Sequence, residues 1–143
     1  MNKKKIMLIA IVGVLLVALI QLLGQGNTYS TKIELENASH YNEDELQSAL
    51  RTVEKNFRKD YRGSKMTDLW YDDDYNETHR QALEKKYQVQ KAIVVLSNIQ
   101  TGRQGALKGK LDANKDYPGY AWILTKKNSK AHWTLVEATT KLK

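Results

Sequence analysis

The sequence predicts an α+β domain that follows an N-terminal transmembrane helix. An apolar run, Ile6–Leu23, comes directly after a group of lysines. Apolar residues recur at helical spacing across Asn42–Tyr61, and β-branched and aromatic residues dominate the strand-like segments after residue 90. Because the helices precede the strands and a short turn joins the last two strands, we expect at least three antiparallel strands that curl around the long helix.

The run Ile6–Leu23 has the length of a membrane-spanning helix. At about 1.5 Å per residue it would extend roughly 27 Å, close to the ~30 Å hydrocarbon core of a bilayer. Lys3–Lys5 precede it, so the positive-inside rule predicts a cytoplasmic N-terminus and an exported C-terminal part. We expect an uncleaved signal anchor. The alternatives are cleavage after Gly26, which would release a secreted domain, and a buried core helix.

The predicted chain has four parts. They are a cytoplasmic basic tail at residues 1–5, the transmembrane signal anchor at 6–23, a linker at 24–40 and an extracytoplasmic α+β domain at 41–143. The chain contains no cysteine, which excludes disulfides, cysteine–zinc sites and thiol nucleophiles. An exported domain of this kind depends on packing alone for its stability.

The clearest element of the domain is a helix over Asn42–Tyr61. Asn42 and Glu45 have the spacing of an N-cap and its capping box, and Gly63 is expected at the C′ position. One apolar stripe runs along this helix: Leu46, Ala49, Leu50, Val53, Phe57 and Tyr61. A helix with one apolar face needs a partner surface, which we expect to be a sheet.

Shorter elements flank the long helix. The weak alternation in Thr31–Glu36 indicates a short strand or part of the linker. Met66–Tyr71 is predicted as a short strand or an ordered loop. Asn76–Tyr87 is predicted as a second helix with Asn76 as its N-cap, and Asp72 is the alternative cap.

The C-terminal part is predicted to form the sheet. Lys91–Ile99 is rich in β-branched residues without alternation, which is typical of a central strand buried on both faces. Thr101–Gly119 contains repeated glycines and is expected to be a loop or an irregular hairpin. Tyr120–Lys127 and Trp133–Thr139 alternate and are separated by a short turn, which predicts an antiparallel hairpin.

Several stretches of the chain resemble one protein family. They are Tyr61–Asp72, Ile93–Ser97, Leu111–Tyr117, Tyr120–Leu124 and His132–Val136. These stretches are similar to small exported domains of Gram-positive bacteria, often lipoproteins, that form a domain family of unknown function. The resemblance covers about residues 41–138. It implies a cystatin-like fold, close to that of nuclear transport factor 2, with a long helix packed on a curved antiparallel sheet. It implies no established activity.

No residue set forms a diagnostic catalytic or metal-binding motif. The run Asp72–Asp74, with Glu77 and His79, lacks the glycine and the ligand spacing of an EF-hand loop and is interpreted as the acidic start of a helix. The serines lie outside any Gly-x-Ser-x-Gly motif. We therefore predict no catalytic residue, no metal site and no cofactor, and we expect a protein that is not an enzyme.

Two sets of residues are candidates for binding. Aromatic residues with polar tips could line an open end between helix and sheet, and ordinary core packing is the alternative: Tyr71, Tyr117, Tyr120, Trp122 and Trp133. Lysines in the later loops could contact an anionic polymer, and a solvated surface is the alternative: Lys108, Lys110, Lys126, Lys127 and Lys130. The formal net charge of the whole chain is +7, and residues 79–143 carry most of the basic excess.

These features predict a membrane-tethered extracytoplasmic binding domain. Its expected partners are the membrane, through Ile6–Leu23, and an envelope protein or an anionic envelope polymer, whereas nucleic acid is not expected. Two other functions stay open at this stage. One is a component of a secretion or conjugation assembly, and the other is a small enzyme with a pocket between helix and sheet.

Overall fold

The structure is a computed structural model that describes residues 3–5, 7, 10–12, 14, 15, 25–36, 38–103, 105 and 111–142. It shows an α+β fold with a five-stranded, mostly antiparallel sheet in the order β1-β2-β3-β4-β5. The elements in chain order are β1 (Lys32–Glu34), α1 (Glu43–Asp60), β2 (Lys65–Trp70), α2 (Asp73–Tyr87), β3 (Lys91–Gln100), β4 (Asp116–Lys126) and β5 (Thr134–Thr139).

The predicted long helix is confirmed as α1, with its predicted cap. The Asn42 side chain accepts a hydrogen bond from the Glu45 amide at 2.8 Å, and the Glu45 side chain accepts one from the Asn42 amide at 3.2 Å. The C-cap is Tyr61, so Gly63 lies one residue beyond its expected position. Gly63 has a φ of +70° and lies in a turn in which the Ser64 amide donates a hydrogen bond to the Tyr61 carbonyl. Glycine adopts such a positive φ without strain.

The central strand β3 is buried on both faces, as predicted. Ile93, Val95 and Ile99 pack with the apolar face of α1. Ala92, Val94 and Leu96 point to the other face and share a second cluster with Leu83 of α2. A helix therefore covers each face of the sheet, which explains why this strand shows no apolar–polar alternation.

Asn76 was predicted to cap α2, and this prediction was wrong. Asp72 is the N-cap, and its carboxylate accepts from the Tyr75 amide at 2.9 Å. Asn76 lies inside the helix and is completely buried. Its side-chain amide donates to the Val94 carbonyl at 2.9 Å and accepts from the Val94 amide at 2.8 Å. The polar side chain therefore serves as a tertiary contact, which local sequence cannot distinguish from a cap.

Part of the predicted linker belongs to the sheet. β1 pairs in parallel with β2, and Ile33 lies opposite Leu69. An isolated bridge joins Asn27 to Lys65 farther along the same edge. Beyond β1, Ser39 donates to the Asp73 carboxylate from both its amide and its hydroxyl. The described residues between 25 and 41 thus run along one side of the domain.

β4 begins four residues earlier than predicted. The segment Thr101–Gly119 was expected to be largely loop, but β4 pairs with β3 from Asp116 onward. The ladder shifts register between Ser97 and Ile99, where β4 carries an extra residue. Gly119 has a φ of +64° there and donates to the Asn98 side chain at 3.0 Å. A glycine bulge can continue a strand, so a glycine in the sequence is not always a loop signal.

The predicted membrane anchor lies mostly outside the described residues. Within residues 6–23 the structure describes positions 7, 10–12, 14 and 15, and all of them are helical. No helix in the described part of the chain has the length and apolar character needed to cross a membrane.

The substitution Asn76→Ala tests the contact between α2 and β3. It leaves the amide and carbonyl of Val94 without these hydrogen bonds, so we expect the free energy of unfolding to fall by about 2–4 kcal/mol. Urea denaturation measures the change. The control is Gln81→Ala on the exposed side of α2, for which we expect a change within about 0.5 kcal/mol. Equal effects of the two substitutions would contradict a structural role for Asn76.

Candidate functional site

The five aromatic candidates do not form one site. Tyr120 and Trp122 belong to a buried cluster with Phe57 and Tyr61, in which neighbouring ring centroids lie 5.1–6.2 Å apart. The hydroxyl groups of Tyr61 and Tyr120 share a hydrogen bond of 3.1 Å. Burial raises the pKa of both phenols. Tyr120 and Trp122 are at most 1% exposed, so they lie within the core between α1 and the sheet.

Tyr117 packs against this core at the end of β4 opposite the β4–β5 hairpin. It is partly buried near the start of β4, and its hydroxyl accepts a hydrogen bond from the Asp112 amide at 2.7 Å. Lys126 ends the same strand, about 30 Å away at ~3.4 Å per residue. A single small ligand therefore does not contact both ends of β4.

A second aromatic cluster lies near the β4–β5 hairpin. Tyr41 contacts Tyr71 and Trp133 edge to face, with centroids 5.8 and 6.0 Å apart. The Trp133 indole donates to the Glu45 carbonyl in the first turn of α1 at 3.0 Å. Burial raises the pKa of Tyr71, and its hydroxyl donates to Asp73 at 2.7 Å. These contacts hold the hairpin against the N-terminal end of α1.

Lys126 is a buried residue rather than a surface lysine. It is 8% exposed, and its ammonium lies 4.8 Å from the centre of the Trp133 ring. The Glu45 carboxylate lies 3.8 Å from it and also accepts from Lys91 at 2.6 Å. Burial opposes ionisation of Glu45, but the hydrogen bonds from Lys91 and the Asn42 backbone, with the charges of both lysines, lower its pKa. Lys126 therefore stabilises the base of the hairpin.

The other candidate lysines differ in position. Lys127 and Lys130 are exposed in the turn between β4 and β5. Lys108 and Lys110 lie outside the described residues, and the structure gives no information on them. Of the lysines in the prediction, Lys127 and Lys130 are thus the two that the structure places together on a surface.

A cleft of about 380 Å³ lies beside these exposed lysines. Its lining combines a lysine, a histidine, three hydroxyl side chains and three small apolar side chains: Tyr87, Val89, Thr125, Lys127, Ala131, His132, Thr134 and Val136. None of these lining residues is acidic. The cleft therefore suits an anionic group with hydroxyls or short apolar parts. We call the cleft together with Lys127 and Lys130 the hairpin site.

Sequence reasoning did not place Thr125 or Thr134 in a site. The hydroxyl of Tyr87, at the end of α2, donates to Glu137 of β5. Thr125 and Thr134 lie opposite each other in the β4–β5 ladder. The alternation of the predicted hairpin puts both threonines on the same face of the hairpin. This cross-strand pair was the one feature of the local sequence that could have indicated the site.

The acidic run at the start of α2 has structural roles. Asp72 caps the helix, and Asp73 binds Ser39 and Tyr71. The hydrogen bonds from Ser39 lower the pKa of Asp73. Glu77 pairs with His40, and His79 stacks on the Tyr75 ring at 4.3 Å. In the described part of the chain, no group of three His, Asp or Glu side chains could hold a metal ion.

No family model, curated protein or solved structure matches this chain. The role of the hairpin site therefore follows from the side chains that line it and from its position in the fold.

The substitution Glu45→Gln tests the ion cluster below the hairpin. Glutamine keeps the capping geometry but leaves Lys126 without its counterion, so we expect the free energy of unfolding at neutral pH to fall by about 1–3 kcal/mol. Thermal and urea denaturation measure the loss. The control is Asp44→Asn, which removes the same charge from an exposed position of the same turn. A loss no larger than that of the control would contradict the role of Glu45.

The lowered pKa of Glu45 also predicts a dependence on pH. The stabilisation from this carboxylate is present above its unfolded pKa and is lost as the pH falls through its lower folded pKa. Below the ordinary glutamate pKa of 4.5, the wild-type protein should therefore lose more stability than Glu45→Gln. Parallel acid-denaturation curves for the two proteins would show that the carboxylate contributes nothing.

Proposed function

We propose that this protein is a non-enzymatic, membrane-anchored domain that binds an anionic envelope polymer through the hairpin site. In this proposal residues 6–23 form a single-pass anchor in the cell membrane with a cytoplasmic N-terminus. The folded domain lies outside the cytoplasm. The lysines before the apolar run support this topology.

We further propose that the domain is cystatin-like, in the sense that includes nuclear transport factor 2. The packing of α1 along one face of the antiparallel strands β2–β5 supports this assignment. In such an arrangement the ends of the helix and the sheet are available for ligands, because the core fills the space between them.

The position of the hairpin site relative to the anchor supports a binding role. Residue 27 bridges to Lys65 at the beginning of β2, and β2, β3 and β4 place Lys65 near Gln100 and Asp116. Lys126 and the hairpin lie at the opposite end of β4, about 30 Å away at ~3.4 Å per residue. An anchor that ends near residue 23 would therefore leave the hairpin site directed away from the membrane.

The composition of the cleft is the observation that carries the proposal. Lys127 and His132 line it, Lys130 is exposed nearby, and no lining residue is acidic. Glu137 is the nearest acidic residue along β5, and it is already bound by Lys86 and Tyr87. A phosphodiester polymer with free hydroxyls would match both the positive charge and the threonine hydroxyls.

The double substitution Lys127→Gln/Lys130→Gln tests this function. The full chain in zwitterionic detergent micelles would be titrated with poly(glycerol phosphate), and calorimetry would measure the dissociation constant. Two exposed charges contribute about 1–2 kcal/mol together, so we expect affinity to fall about tenfold. Added salt should weaken binding to the wild type more than to the variant.

The control is Arg51→Gln/Lys55→Gln, which removes the same charge from the exposed side of α1 and should leave affinity nearly unchanged. Equal weakening by both double variants would indicate attraction to net charge rather than a site. A wild-type chain that does not bind the polymer would overturn the proposal and favour an envelope protein as the partner.

A further inference from the structure

A second cleft, of about 640 Å³, lies at the end of the domain opposite the hairpin site. It is formed by residues 25–29, the last turns of α1 and the first residues of β2. We call it the tether cleft, because its first lining residue, Gln25, follows the predicted anchor by two positions. None of its lining residues belongs to the hairpin site.

The chain is fixed to the domain as soon as it enters this cleft. The Gly26 amide donates to the Arg58 carbonyl at 3.0 Å, and the Asn27 amide donates to the Ser64 carbonyl at 2.9 Å. Gly26 has no room for a side chain, since a Cβ atom there would lie 2.5 Å from the Phe57 carbonyl oxygen. Residues 24–26 extend at most about 10 Å. A membrane anchor ending near residue 23 therefore holds the tether cleft at the bilayer surface.

The charged side chains of the tether cleft suit a phosphodiester. Arg58 and Lys65 line it and are both exposed, and Glu54 is its one acidic lining residue. In the described part of the chain, the guanidinium of Arg58 makes one long hydrogen bond, of 3.4 Å to the Thr28 hydroxyl. A guanidinium has further donors for phosphate oxygens. Two cations and one carboxylate give a net charge of about +1, opposite to that of one phosphodiester.

Ser64 gives an independent indication of a ligand. Ser64 lines the tether cleft and is 1% exposed. Its hydroxyl has no hydrogen-bond partner among the described residues. Burying a hydroxyl without a partner is unfavourable, and a ligand with a complementary polar group offsets this cost. The Glu54 carboxylate can likewise accept a hydrogen bond from a ligand hydroxyl.

We propose that the tether cleft binds the phosphoglycerol headgroup of an anionic membrane lipid. Arg58 and Lys65 bind the phosphodiester, and Glu54 and Ser64 bind the glycerol hydroxyls. The lipid is favoured over a soluble phosphate because of the short distance from the anchor to the cleft, so this inference depends on the membrane anchor of the proposed function. The bound headgroup would fix the orientation of the domain on the bilayer.

A spin label at the tether cleft tests this proposal. The chain has no cysteine, so Tyr29→Cys gives one labelling position on a residue that lines the cleft and is 87% exposed. The full chain would be reconstituted in nanodiscs of phosphatidylcholine alone, with phosphatidylglycerol or with phosphatidylserine. We expect electron paramagnetic resonance to show immobilisation of the label with phosphatidylglycerol only.

Two charge variants make the test specific. Arg58→Gln/Lys65→Gln should abolish the immobilisation, whereas Lys127→Gln/Lys130→Gln at the hairpin site should retain it. Equal immobilisation by phosphatidylserine would overturn recognition of glycerol and leave only attraction to a charged surface. The same spectrum on adding glycerol 3-phosphate to phosphatidylcholine nanodiscs would identify a soluble ligand and overturn the lipid assignment.

Failure of the anchor can be separated from failure of the cleft. Flotation of the chain with vesicles after a carbonate wash tests the anchor. If the chain does not float, the cleft is tested with dihexanoyl phosphatidylglycerol below its micellar concentration, and an unchanged label spectrum overturns the headgroup proposal.

The substitution Ser64→Ala distinguishes a ligand contact from a structural role. It removes a hydroxyl that has no protein partner, so we expect the melting temperature to stay the same or to rise. Binding of the short-chain phosphatidylglycerol should weaken about threefold to tenfold, as for the loss of one hydrogen bond. A lower melting temperature with unchanged binding would assign Ser64 to the fold and remove it from the site.

Discussion

The structure depends on side chains that supply hydrogen bonds to the backbone of β3 beyond the point where β2 ends. β2 pairs with β3 as far as Leu96, and beyond that point none of the described strands lies beside the backbone groups of Val94 and Ala92 on that side. Asn76 binds both polar groups of Val94, and the Tyr41 hydroxyl donates to the Ala92 carbonyl. Backbone groups in a core must be paired. This constraint fixes α2 on one face of the sheet and the beginning of α1 on the other.

The same arrangement separates the two proposed sites. The chain enters along the β1 edge, is fixed at the Asn27 bridge, and reaches α1 through contacts of Ser39 and His40 with α2. The Glu45 ion cluster and Trp133 then fix the hairpin at the far end. The packed core lies between the two ends, so in the proposed topology a ligand at the tether cleft would orient the hairpin site relative to the membrane.

Some candidate residues were placed correctly from the sequence and others were not. The difference is whether the residues that surround them are near or distant in the sequence. The alternation of β4 was sufficient to place Tyr120, Trp122 and Leu124 on one face, and these residues lie in the core. The same alternation puts Lys126 on the face of Leu124 and Lys127 on the opposite face, but it could not show that Lys126 is buried, since a lysine at a strand end can reach solvent from either face. The burial of Lys126 involves Glu45, which is distant in the sequence and approaches only when the hairpin packs on α1. The tether cleft was not predicted, because segments far apart in the chain line it.

By itself the sequence determined α1 with its capping box, the two-sided burial of β3 and the β4–β5 hairpin. Each of these follows from side-chain periodicity or spacing within a few residues, where the backbone geometry sets which side chains share a face. Only the tertiary structure decided that Asn76 pairs with a strand, that β1 joins the sheet in parallel, and that Gly119 forms a bulge. These three features depend on which backbone groups still need a hydrogen-bond partner after the chain has packed. Residues that are close in the sequence do not determine this.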